Sequence, residues 1–149
     1  MDILLISDSH GSKKRVQELV EKIKPSHLFF MGDGIGDVED LNGVEARKVR
    51  GNCDLFCSDA ETIIENFENH KIMITHGHKF KAKYLLDPML LYARENACDI
   101  LIFGHTHKRK AEFVDGIYAV NPGAFKNGDY AILKLQKDSY IVNFFNIKD

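Results

Sequence analysis

At 149 residues, with 44% hydrophobic and 10% aromatic side chains, the chain has the length of one domain and enough apolar matter for a real interior, which excludes disorder and a coiled coil. Its 20 basic and 22 acidic residues leave a formal charge of −2, so it is no bulk polycation and nucleic acid enters only as a substrate class. The run Ile3–Ile6 is too short to span a membrane and has no basic lead, and Cys53, Cys57 and Cys98 suit a reducing cytoplasm better than a disulfide scaffold.

Residues Ile3–Ser7 read as a buried strand that breaks into Asp8-Ser9-His10-Gly11. Ser12 is placed to cap a helix whose apolar face is Val16, Leu19, Val20 and Ile23, with Pro25 as its stop. Leu28–Met31 is a second strand, ending in Gly32-Asp33-Gly34, and Val44–Val49 a weaker third, ending in Gly51-Asn52-Cys53-Asp54. Thr62–Phe67 has the pattern of an edge strand, and Lys71–Thr75 runs straight into His76-Gly77-His78. Asp87-Pro88 reads as an N-cap and first helical residue, followed by Met89, Leu90 and Ala93 on one face. Asp99–Phe103 is again a strand, ending at Gly104-His105-Thr106-His107.

Beyond that point the period changes to two. Ala111–Val114 and Ile117–Val120 flank Asp115-Gly116, a two-residue hairpin signal, and Tyr130–Leu135 and Tyr140–Phe145 flank a turn at Lys137-Asp138. The last 40 or so residues thus read as antiparallel β after an alternating β/α part. Two sheets packed face to face with helices outside are the expected architecture.

Five strand ends in succession carry side chains that can bind a metal: Asp8 and His10, Asp33, Asn52, His76, then His105 and His107. In an open α/β sheet, ligands gather where the carboxyl ends of strands meet loops. The spacings Asp-x-His and His-x-His would set alternate residues on one side of an extended backbone. Seven donors are too many for one ion and suit two. Their mix of imidazole and carboxylate suits Mn²⁺, Fe²⁺, Zn²⁺, Ni²⁺ or Co²⁺ better than Mg²⁺ or Ca²⁺. No thiolate is required, against a closed structural zinc site.

These elements, with Asn121-Pro122-Gly123, resemble in order the calcineurin-like metallophosphoesterases, in particular their small bacterial and archaeal phosphodiesterase branch. The resemblance spans residues 8 to 123 and implies a single such domain over 1–149, folded as a four-layer αββα sandwich of two mixed sheets flanked by helices. It implies that Asp8, His10, Asp33 and His107 hold one divalent ion, Mn²⁺ being the first expectation. Asp33, Asn52, His76 and His105 would hold the second, with Asp33 as bridge. Asp8, Asp33, Asn52 and His76 become the catalytic candidates, around a hydroxide shared by two ions and aimed in line at phosphorus. Two ions, two carboxylates and a hydroxide leave a single positive charge. A phosphodiester neutralises that charge, whereas a monoester dianion overshoots it.

One departure matters. Many relatives carry histidine where this chain has Cys53, and that histidine protonates the leaving oxygen; with Cys53 there is no assured general acid. The expected function is therefore metal-dependent hydrolysis of phosphate diesters in the cytoplasm. The alternatives are a phosphomonoesterase of the same fold, or a non-catalytic interaction scaffold like the retromer subunit that shares it. No membrane partner is expected, and a homodimer through Thr62–Phe67 or the C-terminal β segment stays open.

Around the ligands, His78 is read as outside the metal shell or facing substrate, and Asp54 as an orienting acceptor. Asp37 and Asp40 are read as helix-start or solvent residues, Asn121-Pro122-Gly123 as a brace for a ligand loop, and His27 and His70 as without function. Three basic clusters, Lys13-Lys14-Arg15, Lys79/Lys81/Lys83 and Lys108-Arg109-Lys110, begin close to ligand motifs and suit an anionic substrate at the rim, or simply solvated loops.

Overall fold

The computed structural model describes residues 1–83 and 85–149. Strand β1 (Asp2–Ile6) leads to helix α1 (Lys13–Ile23), then β2 (His27–Phe30) and β3 (Glu45–Lys48). Next come β4 (Thr62–Phe67), β5 (His70–Thr75), α2 (Asp87–Glu95) and β6 (Ile100–Phe103). The chain closes with β7 (Lys110–Val114), β8 (Ile117–Asn121), β9 (Asp129–Leu135) and β10 (Tyr140–Asn146).

Two five-stranded mixed sheets result, in the orders β10-β9-β1-β2-β3 and β4-β5-β6-β8-β7. The first is parallel through β1, β2 and β3 and antiparallel through β9 and β10. The second has parallel β5, β6 and β8 between antiparallel β4 and β7. The period of two sorts each strand between layers. From β1, Ile3 and Leu5 join Phe29, Ile72, Ile74, Ile100 and Ile102 in the core between the sheets. Leu4 and Ile6 face outward onto Val16, Leu19 and Val20 of α1. On the other side Met73, Leu101 and Phe103 meet Met89, Leu90 and Ala93 of α2. The four-layer sandwich is as expected.

The C-terminal third departs from the antiparallel reading in one respect. Its two hairpins are antiparallel within themselves but enter different sheets, and β8 also pairs parallel with β6. Its residues Ile117, Ala119 and Val120 are buried, so it sits as an inner strand. Both residues of the β7–β8 turn have positive φ, Asp115 at 51° and Gly116 at 82°, as a two-residue hairpin of this twist requires. Ser12 holds the N-cap position of α1 without capping it; its hydroxyl donates to the Ser9 carbonyl instead. In α2 the cap position falls on Leu86, and Asp87 is already helical.

The shared core between the sheets is where a cavity costs most. Phe29 is fully buried there, 5.1 Å from the ring of Phe67. Phe29→Ala is expected to lose about 3–5 kcal/mol in urea unfolding, while Leu91→Ala on the exposed side of α2 stays within about 0.5 kcal/mol.

Candidate metal centre

The carboxyl ends of β1, β2, β3, β5 and β6 bring their loops to one rim of the sandwich. Asp8, His10, Asp33 and Asn52 come from the first sheet, and His76, His105 and His107 from the second. Asp8, His10 and His107 offer donor atoms within 4.8 Å of one another, as do Asp33, His76 and His105. His10 Nε2 lies 4.0 Å from Asp33 Oδ2, joining the two groups, and Asn52 Oδ1 is 3.1 Å from His76 Nε2. All seven donors named from the sequence are therefore brought together.

The route to this convergence differs from the extended-backbone reading. Asp8, His10, Asp33, His105 and His107 have φ of 54°, 46°, 62°, 69° and 63°. Left-handed kinks, rather than strand alternation, turn these side chains inward. Each such non-glycine residue costs about 1–3 kcal/mol, which the surrounding bonds must offset.

The hydrogen bonds fix which atoms face the centre. His76 Nδ1 donates to the Met31 carbonyl at 2.6 Å, so Nε2 points at Asp33 Oδ2 (3.3 Å), Asn52 Oδ1 and His105 Nδ1 (3.1 Å). Asp8 Oδ2 accepts from the Ser7 hydroxyl at 2.6 Å and from the His105 amide at 3.1 Å. Its other oxygen, Oδ1, is buried with no hydrogen bond among the described residues, although His107 Nε2 stands 3.2 Å away and His76 Nε2 4.0 Å away. A buried acceptor left unpaired among imidazole nitrogens has the chemistry of a cation site.

The charges agree. Burial works against the Asp33 carboxylate, but the hydrogen bond and charge of His76 and the Cys53 amide hold it well below the usual carboxylate range. Burial pushes His105 down to about 4, helped by the charge of His76 and then of Lys83, so its ring is a neutral donor. His76 moves up despite burial, because Asp33 and Asp8 favour its proton, and a cation would displace that proton.

The family model of the calcineurin-like phosphoesterase superfamily domain matches residues 1–138. The chain belongs to this superfamily. It is 29% identical to the probable metallophosphoesterase YsnB of Bacillus subtilis strain 168, over 98% of this chain and 91% of the relative. It is 30% identical to the phosphodiesterase YfcE of Escherichia coli K12, over 83% of this chain and 79% of that protein. A crystal structure of a single mutant of Vps29 from Entamoeba histolytica has a TM-score of 0.85 at 23% identity, covering all of this chain and 94% of that one, a likeness of fold. Membership in a metallophosphoesterase family implies divalent metal ions, and the seven donors fit them.

A second layer of bonds positions these donors. Asp54, buried, accepts from four backbone amides: Asp33 and Gly51 on Oδ2, Gly34 and Ile35 on Oδ1, at 2.7–3.0 Å. That is the orienting role expected of it. Asn121 donates to the Gly104 carbonyl and Thr106 Oγ1, bracing the His105–His107 loop as expected. Asp37 corrects the sequence reading. It is buried, and its Oδ2 accepts from the Ser9 hydroxyl at 2.6 Å and the Gly11 and Ser12 amides at 2.9 Å, locking the loop that carries Asp8 and His10. Its position directly after Gly34-Ile35-Gly36, in the turn beyond Asp33, was the available signal. Asp40 is exposed.

Cys53 is closer to the centre than its place beside Asn52 suggested, forming a third donor group with His10 and Asp33. Burial and the neighbouring Asp33 charge push its thiol up. His78 joins no donor group among the described residues; its ring lies 5.3 Å from that of His76. His70 is structural, bonded to Asp99 at 2.6 Å and to the Gln136 carbonyl at 3.0 Å, and His27 lies 3.1 Å from Glu45.

The basic clusters divide. Arg15 lies over the Phe125 ring and donates to that residue's carbonyl, Lys79 lies 4.0 Å from Glu61, Arg109 pairs with Asp129 and Lys110 with Glu112. Lys13, Lys14, Lys81, Lys83 and Lys108 are in no ion pair among the described residues.

Removing the Asp54 carboxylate strands four amides at once. Asp54→Ala is expected to weaken cation binding by about 10–100-fold in competition with a chelating dye. It should also lose about 3–5 kcal/mol in urea unfolding. Asp54→Asn, which keeps one acceptor oxygen, should fall between.

Proposed function

We propose that residues 1–149 form a single phosphodiesterase domain in which Asp8, His10, Asp33 and His107 hold one divalent cation and Asp33, Asn52, His76 and His105 a second. The observation that carries this reading is Asp8 Oδ1, buried without a hydrogen bond and faced by the Nε2 atoms of His107 and His76. When bound, two such cations activate a water and cancel charge on the phosphate. The donor mixture of imidazole, carboxylate and amide favours manganese, with nickel, cobalt, iron or zinc as substitutes. A soluble cytoplasmic enzyme is the accompanying proposal.

The chain's own groups supply position and polarity. Asp33, kept ionised by His76 and the Cys53 amide, is the shared carboxylate between the two donor sets. Asn52 contributes a neutral oxygen, which leaves the site cationic enough for a monoanionic diester. His10 and Asn52 are the exposed donors, while Asp8 and His76 are fully enclosed. The thiol of Cys53, raised by burial and by Asp33, is a poor proton donor to a departing alkoxide. Diesters whose leaving group departs as an anion are therefore the favoured class.

The phosphodiesterase name of the Escherichia coli relative supports diesters over monoesters. A full set of seven competent donors supports an enzyme over a scaffold.

Protein stripped with chelator is expected to be inactive and to regain hydrolysis of bis(p-nitrophenyl) phosphate with Mn²⁺. Equilibrium dialysis should find about two cations per chain, and fewer than one after Asp33→Ala. No recovery with Mn²⁺, Ni²⁺, Co²⁺ or Zn²⁺ would sink the enzymatic reading. Turnover of alkyl diesters should trail that of aryl diesters by a factor of about 10²–10⁴, and Cys53→His should recover about tenfold or more of the alkyl rate. Equal rates on both classes would overturn the role given to Cys53.

A further inference from the structure

Beside the metal centre lies a groove of about 480 Å³ that the seven donors do not line. Thr106, the residue between His105 and His107, forms the wall nearest the centre. Asn121 holds this wall in place through Thr106 Oγ1, at 3.1 Å. The floor is apolar, made of Ala82, Leu86 and Phe103. Along the sides stand Lys83, Lys108, Arg109 and Lys110, and among the described residues no acidic one lines the groove. Four cations without an acid is unusual in a chain whose 22 acidic residues outnumber its 20 basic ones.

Two of the four are already used. Arg109 is bound to Asp129 at 2.9 Å and to the Phe145 carbonyl at 2.6 Å, and Lys110 to Glu112 at 2.9 Å. Lys83 and Lys108 have no ion pair among the described residues and face the same space. Two unpaired ammonium groups on one groove repel each other, and an anion between them removes that cost.

We propose that this groove receives one arm of the diester and that the arm carries a second phosphate, so the substrate class is a nucleotide-like diester with a further phosphate group. The apolar floor takes the carbon skeleton of the arm, and Lys83 and Lys108 take its extra charge. This rests on the phosphodiesterase reading for its chemistry but not for its binding, and the two can fail separately.

Manganese-loaded protein would be given two chromogenic diesters: bis(p-nitrophenyl) phosphate, and the 5′-(p-nitrophenyl phosphate) of thymidine 3′-phosphate. In the Lys83→Glu/Lys108→Glu variant, KM for the second should rise about tenfold or more beyond any rise seen for the first, which carries no second phosphate. A Lys83→Gln/Lys108→Gln variant should give a smaller shift in the same direction. Equal shifts on both substrates, or none, overturn the proposal. Calorimetric titration of metal-free protein with thymidine 3′,5′-bisphosphate provides a reading without catalysis. Binding should be present, weaken with added salt and fall about tenfold in the charge-reversed variant. Absence of binding overturns the proposal. If the wild type hydrolyses neither diester yet binds the bisphosphate through these lysines, the groove assignment stands and the phosphodiesterase reading falls.

Discussion

By accepting the Nδ1 proton of His76, the Met31 carbonyl turns the opposite ring nitrogen toward a carboxylate, an amide oxygen and a second imidazole. These are all lone-pair donors, and they meet where Asp8 Oδ1 is already buried and unpaired. Nothing in the polypeptide itself balances such a convergence. Positive charge does, as a proton on His76 or as a cation among the donors. The rest of the rim keeps these groups from turning away from one another.

That restraint is a matter of backbone amides more than of side-chain contact. Asp54 gathers the amides of the Asp33 loop and Gly51, Asp37 those of the Asp8–His10 loop, and Asn121 braces the His105–His107 loop. Each of the three loops contains candidate ligand residues at positive φ. Strain and restraint coincide, as expected where structure is maintained for chemistry at a local cost in stability. Gly32 belongs to the same scheme. At φ 99°, a Cβ there would stand 2.7 Å from the Gly51 nitrogen and from His76 Nδ1, so two ligand loops can close on each other only across a residue without one.

Much of this was legible in the sequence. Apolar runs ending abruptly in Asp, Asn or His located the rim, because burial on both faces of a parallel strand leaves a continuous apolar signal that stops where the strand emerges. Thr62–Phe67 was readable to the residue as an edge strand. What escaped reading depended on loop conformation. Asp37 read as a helix-start or solvent residue: its place after Gly34-Ile35-Gly36 signals a turn, but not the three donors of the neighbouring loop that fold around its carboxylate. Ser12 looked like a cap, yet Asp37 already takes the amides at the start of α1. The pairing of β8 with β6 was hidden by the hairpin signal, which reports the local partner and not the sheet that receives the pair.

The two halves of the donor set come from different sheets, with β1, β2 and β3 supplying four groups and the loops after β5 and β6 the other three. Among the described residues, the cluster between those sheets is apolar, held by close packing with no directional bond across it. Ions gripped from both sides would rivet the seam at one end and fix the alignment of the layers. Loaded protein should then melt as one cooperative unit at a temperature that climbs with free metal, since every increment of occupancy is withheld from the unfolded chain.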